Sequence, residues 1–146
     1  MSSIDGDVSD DELGNNILDL EVFDQLISMD DEDDEFSQQI VYNYFEQAET
    51  TFSNMDKAIK ARDLARLSEL GHFLKGSSAS IGVKRVRDCC EHIQHLGRLK
   101  NTDGEGQVDE ETALEEIVKE LEEGKKEYQK AKEFLRFFYE QDDDDE

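Results

Sequence analysis

Apolar residues recur along this chain three and four positions apart, and nowhere do they alternate with polar ones between turn signals, so helices are predicted and strands are not. A short first helix is predicted from an N-cap at Asp19, with Glu21 in its first turn, to about Met29. Leu20, Phe23 and Ile27 can face inward, which leaves Val22, Leu26 and Met29 on a second side. The acidic run from Asp30 to Glu35 reads as a linker and as the negative start of a second helix, about Asp34 to Arg62. In that helix Val41, Phe45, Ala48, Phe52, Met55 and Ile59 fall within about 40° of one direction, whereas Phe36 and Ile40 lie roughly 100° to 140° away. The residues left over from the two core stripes, Val22, Leu26, Met29, Phe36 and Ile40, either pack where the short helix covers the long one or form an exposed docking patch. The pattern leaves both open.

A third helix is predicted from an N-cap at Asp63 to about Ser80, closed by Gly82 in a left-handed position. Leu67, Leu70, Leu74 and Ile81 form its apolar stripe, and His72, Lys75, Gly76 and Ala79 share a face roughly opposite. The fourth helix, Val83 to about Lys100, carries the stripe Val86, Cys90, Ile93 and Leu96, with Gly97 allowing a neighbour to come close. After a loop from Asn101 to Val108 containing Gly104 and Gly106, a last helix repeats Leu114, Ile117, Leu121, Gly124, Tyr128, Ala131, Leu135 and Phe138 in a heptad-like seam. Four long amphipathic helices with short connections, plus the leading one, imply an all-α fold: an antiparallel four-helix bundle with a short additional N-terminal helix. Residues 1–16 read as a disordered acidic lead-in, 17–140 as one domain and 141–146 as an acidic tail.

Composition adds constraints. With 146 residues, 36% of them hydrophobic and none of them proline, the chain suits one helical core. A net charge of −23 disfavours nucleic acid and anionic membrane as partners. There is no 18-residue apolar run and no secretory leader pattern, so an intracellular setting is expected. Cys89 and Cys90, about 100° apart on a helix, are poorly placed for a mutual bridge, and Cys90 reads as a small core residue.

Against that acidic background residues 72–100 hold Lys75, Lys84, Arg85, Arg87, Arg98 and Lys100 with only Asp88 and Glu91, a local excess of +4 that leaves −27 on the rest. The same stretch puts an outward-facing imidazole, His72, one turn before a mid-helix glycine. Gly76 costs about 1 kcal/mol relative to alanine there, so something bulky is expected to approach the ring. A neutral imidazole near physiological pH is a nucleophile, and cations beside it suit a transient anion. The basic stretch can equally be a solvated face that offsets its surroundings. No Gly-rich phosphate loop accompanies it, so any Mg²⁺ for phosphoryl chemistry would come from a partner. Cys89, His92 and His95 spread over about 120° of helix and are not expected to bind metal, and no third group orients a serine or cysteine nucleophile.

The run Leu70-Gly71-His72-Phe73-Leu74-Lys75-Gly76-Ser77-Ser78-Ala79 resembles the signature of histidine-containing phosphotransfer (HPt) proteins. With Gly82, Cys90-Glu-His-Ile-Gln-His-Leu-Gly-Arg98, Ile27-Ser-Met-Asp-Asp31 and Gln47-Ala-Glu-Thr-Thr-Phe52, it is most similar to fungal members of the osmosensing multistep phosphorelay, over roughly residues 18 to 140. The resemblance implies a phosphorelay intermediate and phosphocarrier, not an independently turning-over enzyme. In it His72 is phosphorylated, Lys75 and Arg98 are supporting cations, Gly76 leaves access, and Gln94 hydrogen-bonds or orients the imidazole. It also implies that Val22, Leu26, Met29, Phe36 and Ile40 receive the apolar helix face of a receiver domain, with Asp30 to Asp34 as a polar rim. The implied partners are the receiver domains of a hybrid sensor histidine kinase and of response regulators, which supply Mg²⁺, and the carrier itself would be a cytoplasmic and nuclear monomer without a cofactor. The competing reading, from charge alone, is an acidic helical adaptor or histone-type chaperone in which His72 is incidental.

Overall fold

The computed structural model describes residues 17–30 and 36–144, with side chains through residue 140. Within these residues the chain forms five α-helices and no strand: α1 (Leu20–Ile27), α2 (Phe36–Lys60), α3 (Leu64–Ile81), α4 (Lys84–Gly97) and α5 (Glu110–Asp144). The lead-in 1–16 and most of the acidic run, residues 31–35, lie outside the described residues, so the expectations about them are not addressed. The four long helices bury Val41, Met55, Leu67, Leu74, Ile93, Leu96, Ile117 and Leu135 almost completely, and the short α1 lies over one end of this core.

Local signals set the helix ends. Asp19 caps α1 and Asp63 caps α3, each carboxylate accepting a backbone N–H three residues on. Gly82 closes α3 at φ 84°, a conformation that glycine adopts without the strain a side chain would bring. Gly82 also carries α1, because its carbonyl accepts the Asp19 N–H at 2.7 Å, and a Cβ at Gly82 would stand 2.8 Å from the Asp19 carbonyl oxygen.

Two stripe assignments need correction. Leu26, expected among the leftover residues of a docking patch, is only 5% exposed and belongs to the core. On a helix it lies about 60° from Phe23, no further than Leu20 does, so an inward face centred on Phe23 includes it. Phe138 was expected to end the seam of α5, yet it is 38% exposed and Tyr139 is buried instead. At about 100° per residue Tyr139 stands about 20° from Leu114 while Phe138 stands about 120° away, since a straight helix drifts out of a strict heptad over this length. Phe138 still meets α1 edge-on, its ring 5.3 Å from that of Phe23. The same helix continues through Asp144, into what the sequence suggested was a solvated tail.

Buried polar groups are mostly paired across elements. Asp30 is half-buried and accepts both the N–H and the hydroxyl of Ser37, at 2.7 and 2.6 Å, capping α2 from six residues before its start. Ser37 in turn accepts the Tyr139 hydroxyl at 2.8 Å, which ties the α1–α2 connection to α5. Asp30 is thus occupied internally and does not serve as a free rim charge. Replacing Leu26 with alanine is expected to lower unfolding free energy by about 2 to 5 kcal/mol, measured by denaturant titration, because a core leucine is truncated; a change below about 0.5 kcal/mol, as at surface sites, would contradict its placement.

Candidate functional site

α3 and α4 form a tight antiparallel pair, and three small residues make it tight. A Cβ on Gly71 would stand 2.8 Å from the Cys90 carbonyl oxygen and 3.0 Å from the Gln94 nitrogen, and one on Gly97 would stand 2.7 Å from the Leu64 carbonyl oxygen. Between them the buried Ser68 donates its hydroxyl to the Gln94 carbonyl at 3.0 Å. Gly97 was legible as a close-approach residue. Gly71 lay in the quoted motif but received no role there.

The residue after Gly71 is His72, and its side chain is exposed. Leu67, Leu70, Leu74 and Ile81 are buried on the other side of α3, as their spacing predicts. Gly76, one turn on, is exposed, and a Cβ placed there meets nothing within 4 Å. Its missing side chain therefore opens space on the outer wall and does not serve internal packing. Lys75 is half-exposed and Arg98 exposed, and neither takes part in an ion pair among the described residues. Arg98 ends α4 and is followed by Leu99 at φ 63°, held by the Val108 N–H donating to its carbonyl at 3.1 Å.

Gln94 is buried at 6% exposure, and its Oε1 is the only fully buried side-chain nitrogen or oxygen without a hydrogen-bond partner among the described residues. An unpaired buried carbonyl is costly, about 1 to 3 kcal/mol, so this oxygen calls for a donor that the fold itself does not supply. The backbone of the same residue touches Gly71, so Gln94 is packed against the helical turn that bears His72.

The basic stretch is divided along the hairpin. Pairing of Gly71 with Cys90 and Gln94 puts Lys84 and Arg85 roughly 10 Å along the axis to one side of the level of His72, with Arg87 nearer, and Arg98 roughly 10 Å to the other side, at about 1.5 Å per residue. Arg87 is engaged by Asp88 at 3.0 Å. His92 and His95 have partners of their own: His92 Nδ1 lies 3.0 Å from Glu120, and His95 Nδ1 lies 2.8 Å from the Thr102 carbonyl, with Gly104 beneath its ring. Burial pushes the Cys89 thiol up to about 12, helped by Glu120 and Glu123, and burial likewise raises the Cys90 thiol, so both are inert as thiolates at neutral pH.

The two serines of the motif differ. Ser78 is fully buried and shares a 2.7 Å hydrogen bond with the Tyr44 hydroxyl, which places it in the core between α2 and α3. Ser77 is half-exposed beside a small cavity that Ile40, Asn43 and Ser80 also line. In the leftover set on α1 and α2, Met29 and Phe36 are exposed, at 56% and 38%, while Val22 and Ile40 are half-buried and Leu26 is in the core. Sequence reasoning missed Phe73, which is 49% exposed and lines a cleft of about 530 Å³ with Glu46, Thr50, Arg66, Glu69 and Leu70. Its position between His72 and Leu74 gave it a place in the motif but no stripe.

The Hpt domain family model matches residues 39–124, which take in His72, Lys75, Gly76, Gln94 and Arg98. The chain belongs to the Hpt domain family. This Hpt chain is 51% identical over 126 residues to multistep phosphorelay regulator 1 of Schizosaccharomyces pombe, covering 85% of this chain and 43% of that protein. It is 43% identical over 83 residues to the phosphorelay intermediate protein YPD1 of Saccharomyces cerevisiae, covering 56% and 50%. The chain spans about half the length of the curated relatives it matches. Among solved structures it is similar to Saccharomyces cerevisiae Ypd1 in a co-crystal with the receiver domain of its downstream response regulator Ssk1, with a TM-score of 0.77 and 32% identity over 85% of this chain and 95% of that one. The Medicago truncatula phosphotransfer protein MtHPt2 shares the fold, with a TM-score of 0.73 at 23% identity. The resemblance of the His72 motif to fungal phosphorelay proteins is thereby borne out, as is the helical bundle.

Ser78→Ala is expected to cost about 1 to 3 kcal/mol of unfolding free energy by leaving the Tyr44 hydroxyl unpaired, while labelling of the folded protein by a phosphorylated receiver proceeds at the wild-type rate. A tenfold loss of labelling rate at unchanged stability would instead place Ser78 at the reacting centre.

Proposed function

We propose that this Hpt chain is a phosphorelay intermediate in which His72 accepts a phosphoryl group from the aspartyl phosphate of a hybrid histidine kinase receiver domain and passes it to the aspartate of response-regulator receivers. The observation that carries this reading is the pairing of an exposed His72 with an open, side-chain-free Gly76 one turn away, on a wall otherwise built from larger residues. A receiver's acidic cleft has to bring its phosphorus to within bonding distance of the ring, and a Cβ at position 76 would stand in that approach. The yeast Ypd1–Ssk1 receiver complex supports a receiver as the partner class.

In the forward step a lone pair on one imidazole nitrogen attacks phosphorus, the N–P bond forms and the acyl-phosphate O–P bond breaks, and the aspartate leaves as a carboxylate. The second ring nitrogen keeps its proton, and the unpaired Oε1 of Gln94 is an acceptor suited to fix that tautomer. Lys75 and Arg98, both without a carboxylate partner among the described residues, neutralise the phosphoryl oxygens. Mg²⁺, where present, would be held by the receiver and would offset charge at the transferring group. Return to a second receiver reverses the same bonds, so the Hpt chain acts as a carrier without turnover of its own. A monomer working in cytoplasm and nucleus suits this role, and among the described residues no helix is long and apolar enough to cross a membrane.

Docking is assigned to Met29 and Phe36, with Val22 and Ile40 at their margin and Leu26 beneath, where the apolar face of a receiver helix would cover them.

Two measurements test the proposal. His72→Gln should abolish acid-labile, alkali-stable labelling by a phosphorylated receiver with Mg²⁺ and leave the far-UV spectrum unchanged, and Lys75→Ala and Arg98→Ala should each slow transfer by an amount worth about 1 to 3 kcal/mol. Full labelling of His72→Gln sinks the assignment and leaves the adaptor or histone-type chaperone reading in its place. Separately, Met29→Ala and Phe36→Ala should each weaken receiver binding by about 1 to 2 kcal/mol, mainly through faster dissociation, with folding stability nearly unchanged. Wild-type affinity in both would move the docking surface elsewhere.

A further inference from the structure

Gly71 has no role in the chemistry proposed above, yet it is the residue at which that chemistry is assembled. It precedes His72 in α3, and the α4 backbone lies against it: the position of a Cβ there is 2.8 Å from the Cys90 carbonyl oxygen, 3.0 Å from the Gln94 nitrogen and 3.3 Å from the Gln94 Cα. These are backbone atoms inside a helix, so they cannot turn aside as the end of a flexible side chain can. Gly71 sits in ordinary helical backbone and not in the left-handed region, so the glycine is there for space. The residue it admits, Gln94, is the one whose Oε1 is buried without a partner. Ser68, one turn earlier, adds its hydroxyl to the Gln94 carbonyl, so α3 grips the backbone of Gln94 from two sides.

We propose that Gly71 is a positioning residue for phosphotransfer: by letting the α4 backbone rest on α3 beside His72, it holds Gln94 at the depth from which the amide orients the imidazole. This deepens the reading of His72 as the phosphoryl acceptor and rests on it. Gly97 supplies the contrast that separates positioning from packing. A Cβ on Gly97 meets the same kind of obstacle, the Leu64 carbonyl oxygen at 2.7 Å and the Ser68 nitrogen at 2.8 Å, but three residues beyond Gln94 and about two turns of α3 from His72. If the glycines only allow the helices to pack, alanine at either site has the same consequence. If Gly71 positions the site, alanine at 71 damages the chemistry far more than alanine at 97, which presses on Ser68 and Leu64 and acts mainly on stability.

The experiment compares the wild-type chain with Gly71→Ala, Gly97→Ala and Ser68→Ala. Each is titrated with an isolated receiver domain phosphorylated by acetyl phosphate in Mg²⁺, and the maximal transfer rate is separated from the half-saturating receiver concentration. Each is also treated with phosphoramidate, which phosphorylates exposed histidine without a protein partner by forming N–P and releasing ammonia. Gly71→Ala is expected to lower the maximal transfer rate about ten- to a hundredfold with half-saturation little changed, since an ångström-scale displacement of a reacting group has effects of that size. Its phosphoramidate labelling should slow in parallel. Gly97→Ala should melt at a lower temperature and lose no more of the maximal rate of its folded fraction than Ser68→Ala does, since its Cβ would press on Ser68. Ser68→Ala adds no bulk and folds most readily of the three, and it should show the same selective loss of maximal rate in smaller degree. Equal maximal rates for all three variants and the wild type would overturn the positioning role, as would equal losses in Gly71→Ala and Gly97→Ala. Should Gly71→Ala fail to fold, Ser68→Ala decides the matter, and a wild-type rate there overturns it. Failure of the wild-type chain to label at His72 would strike the underlying reading and is read out separately.

Discussion

The organisation of this bundle depends on a contact made without side chains. Gly71 and Gly97 let the backbones of α3 and α4 meet directly, and Ser68 locks the meeting with a hydroxyl-to-carbonyl bond. Ordinary helix pairs stand 8–10 Å apart because side chains fill the gap. Here the gap closes, and the chain gains a stiff two-helix wall with one face buried in the core and the other entirely outward. An exposed imidazole on such a wall keeps its position without relying on a loop or on neighbours that would also obstruct it. Loss of the contact at Gly71 would move Gln94 relative to His72 even if every side chain remained.

The outer face of that wall is left open, and the polar groups of the inner face are spent except for the Gln94 Oε1. Ser78, in the same motif as His72, is consumed by Tyr44 in the core, and Cys90 behind it is held as a neutral thiol. His92 and His95, which share α4 with Gln94, are occupied by Glu120 and Thr102. On the outer face His72 and Lys75 flank the side-chain-free Gly76 along α3, and Arg98 ends α4; none of the three takes part in an ion pair among the described residues. In a chain of net charge −23 the proposed phosphoryl acceptor thus lies in a stretch of local basic excess, while the remainder of the surface repels polyanions.

Much of this was readable before the structure. The caps at Asp19 and Asp63, the left-handed Gly82, the stripe of α4 and the outward face of His72 follow from short-range rules in which residues three or four apart decide the outcome. What escaped depends on partners distant in sequence. Leu26 looked surplus because α1 was given a single narrow stripe, whereas a short helix lying over the end of a bundle meets more than one neighbour. Phe138 was misjudged because a heptad extrapolated over 25 residues accumulates the mismatch between 3.5 and 3.6 residues per turn. Asp30 looked like one charge in an acidic run, and only the fold reveals that Ser37 and Tyr139 complete it. Gly71 was invisible for a related reason: a glycine's purpose is the backbone that comes near it, and no spacing rule names Cys90 and Gln94 as that backbone.

One imidazole of three is proposed to carry the phosphoryl group, and the chain's own histidines provide the control. The wild-type chain is exposed to a phosphorylated receiver with Mg²⁺, quenched at alkaline pH and cleaved, and the modified peptide is located by mass spectrometry. Phosphoryl is expected on the peptide bearing His72 and not on the peptides bearing His92 or His95. Modification of His92 or His95 with His72 untouched would contradict the proposal.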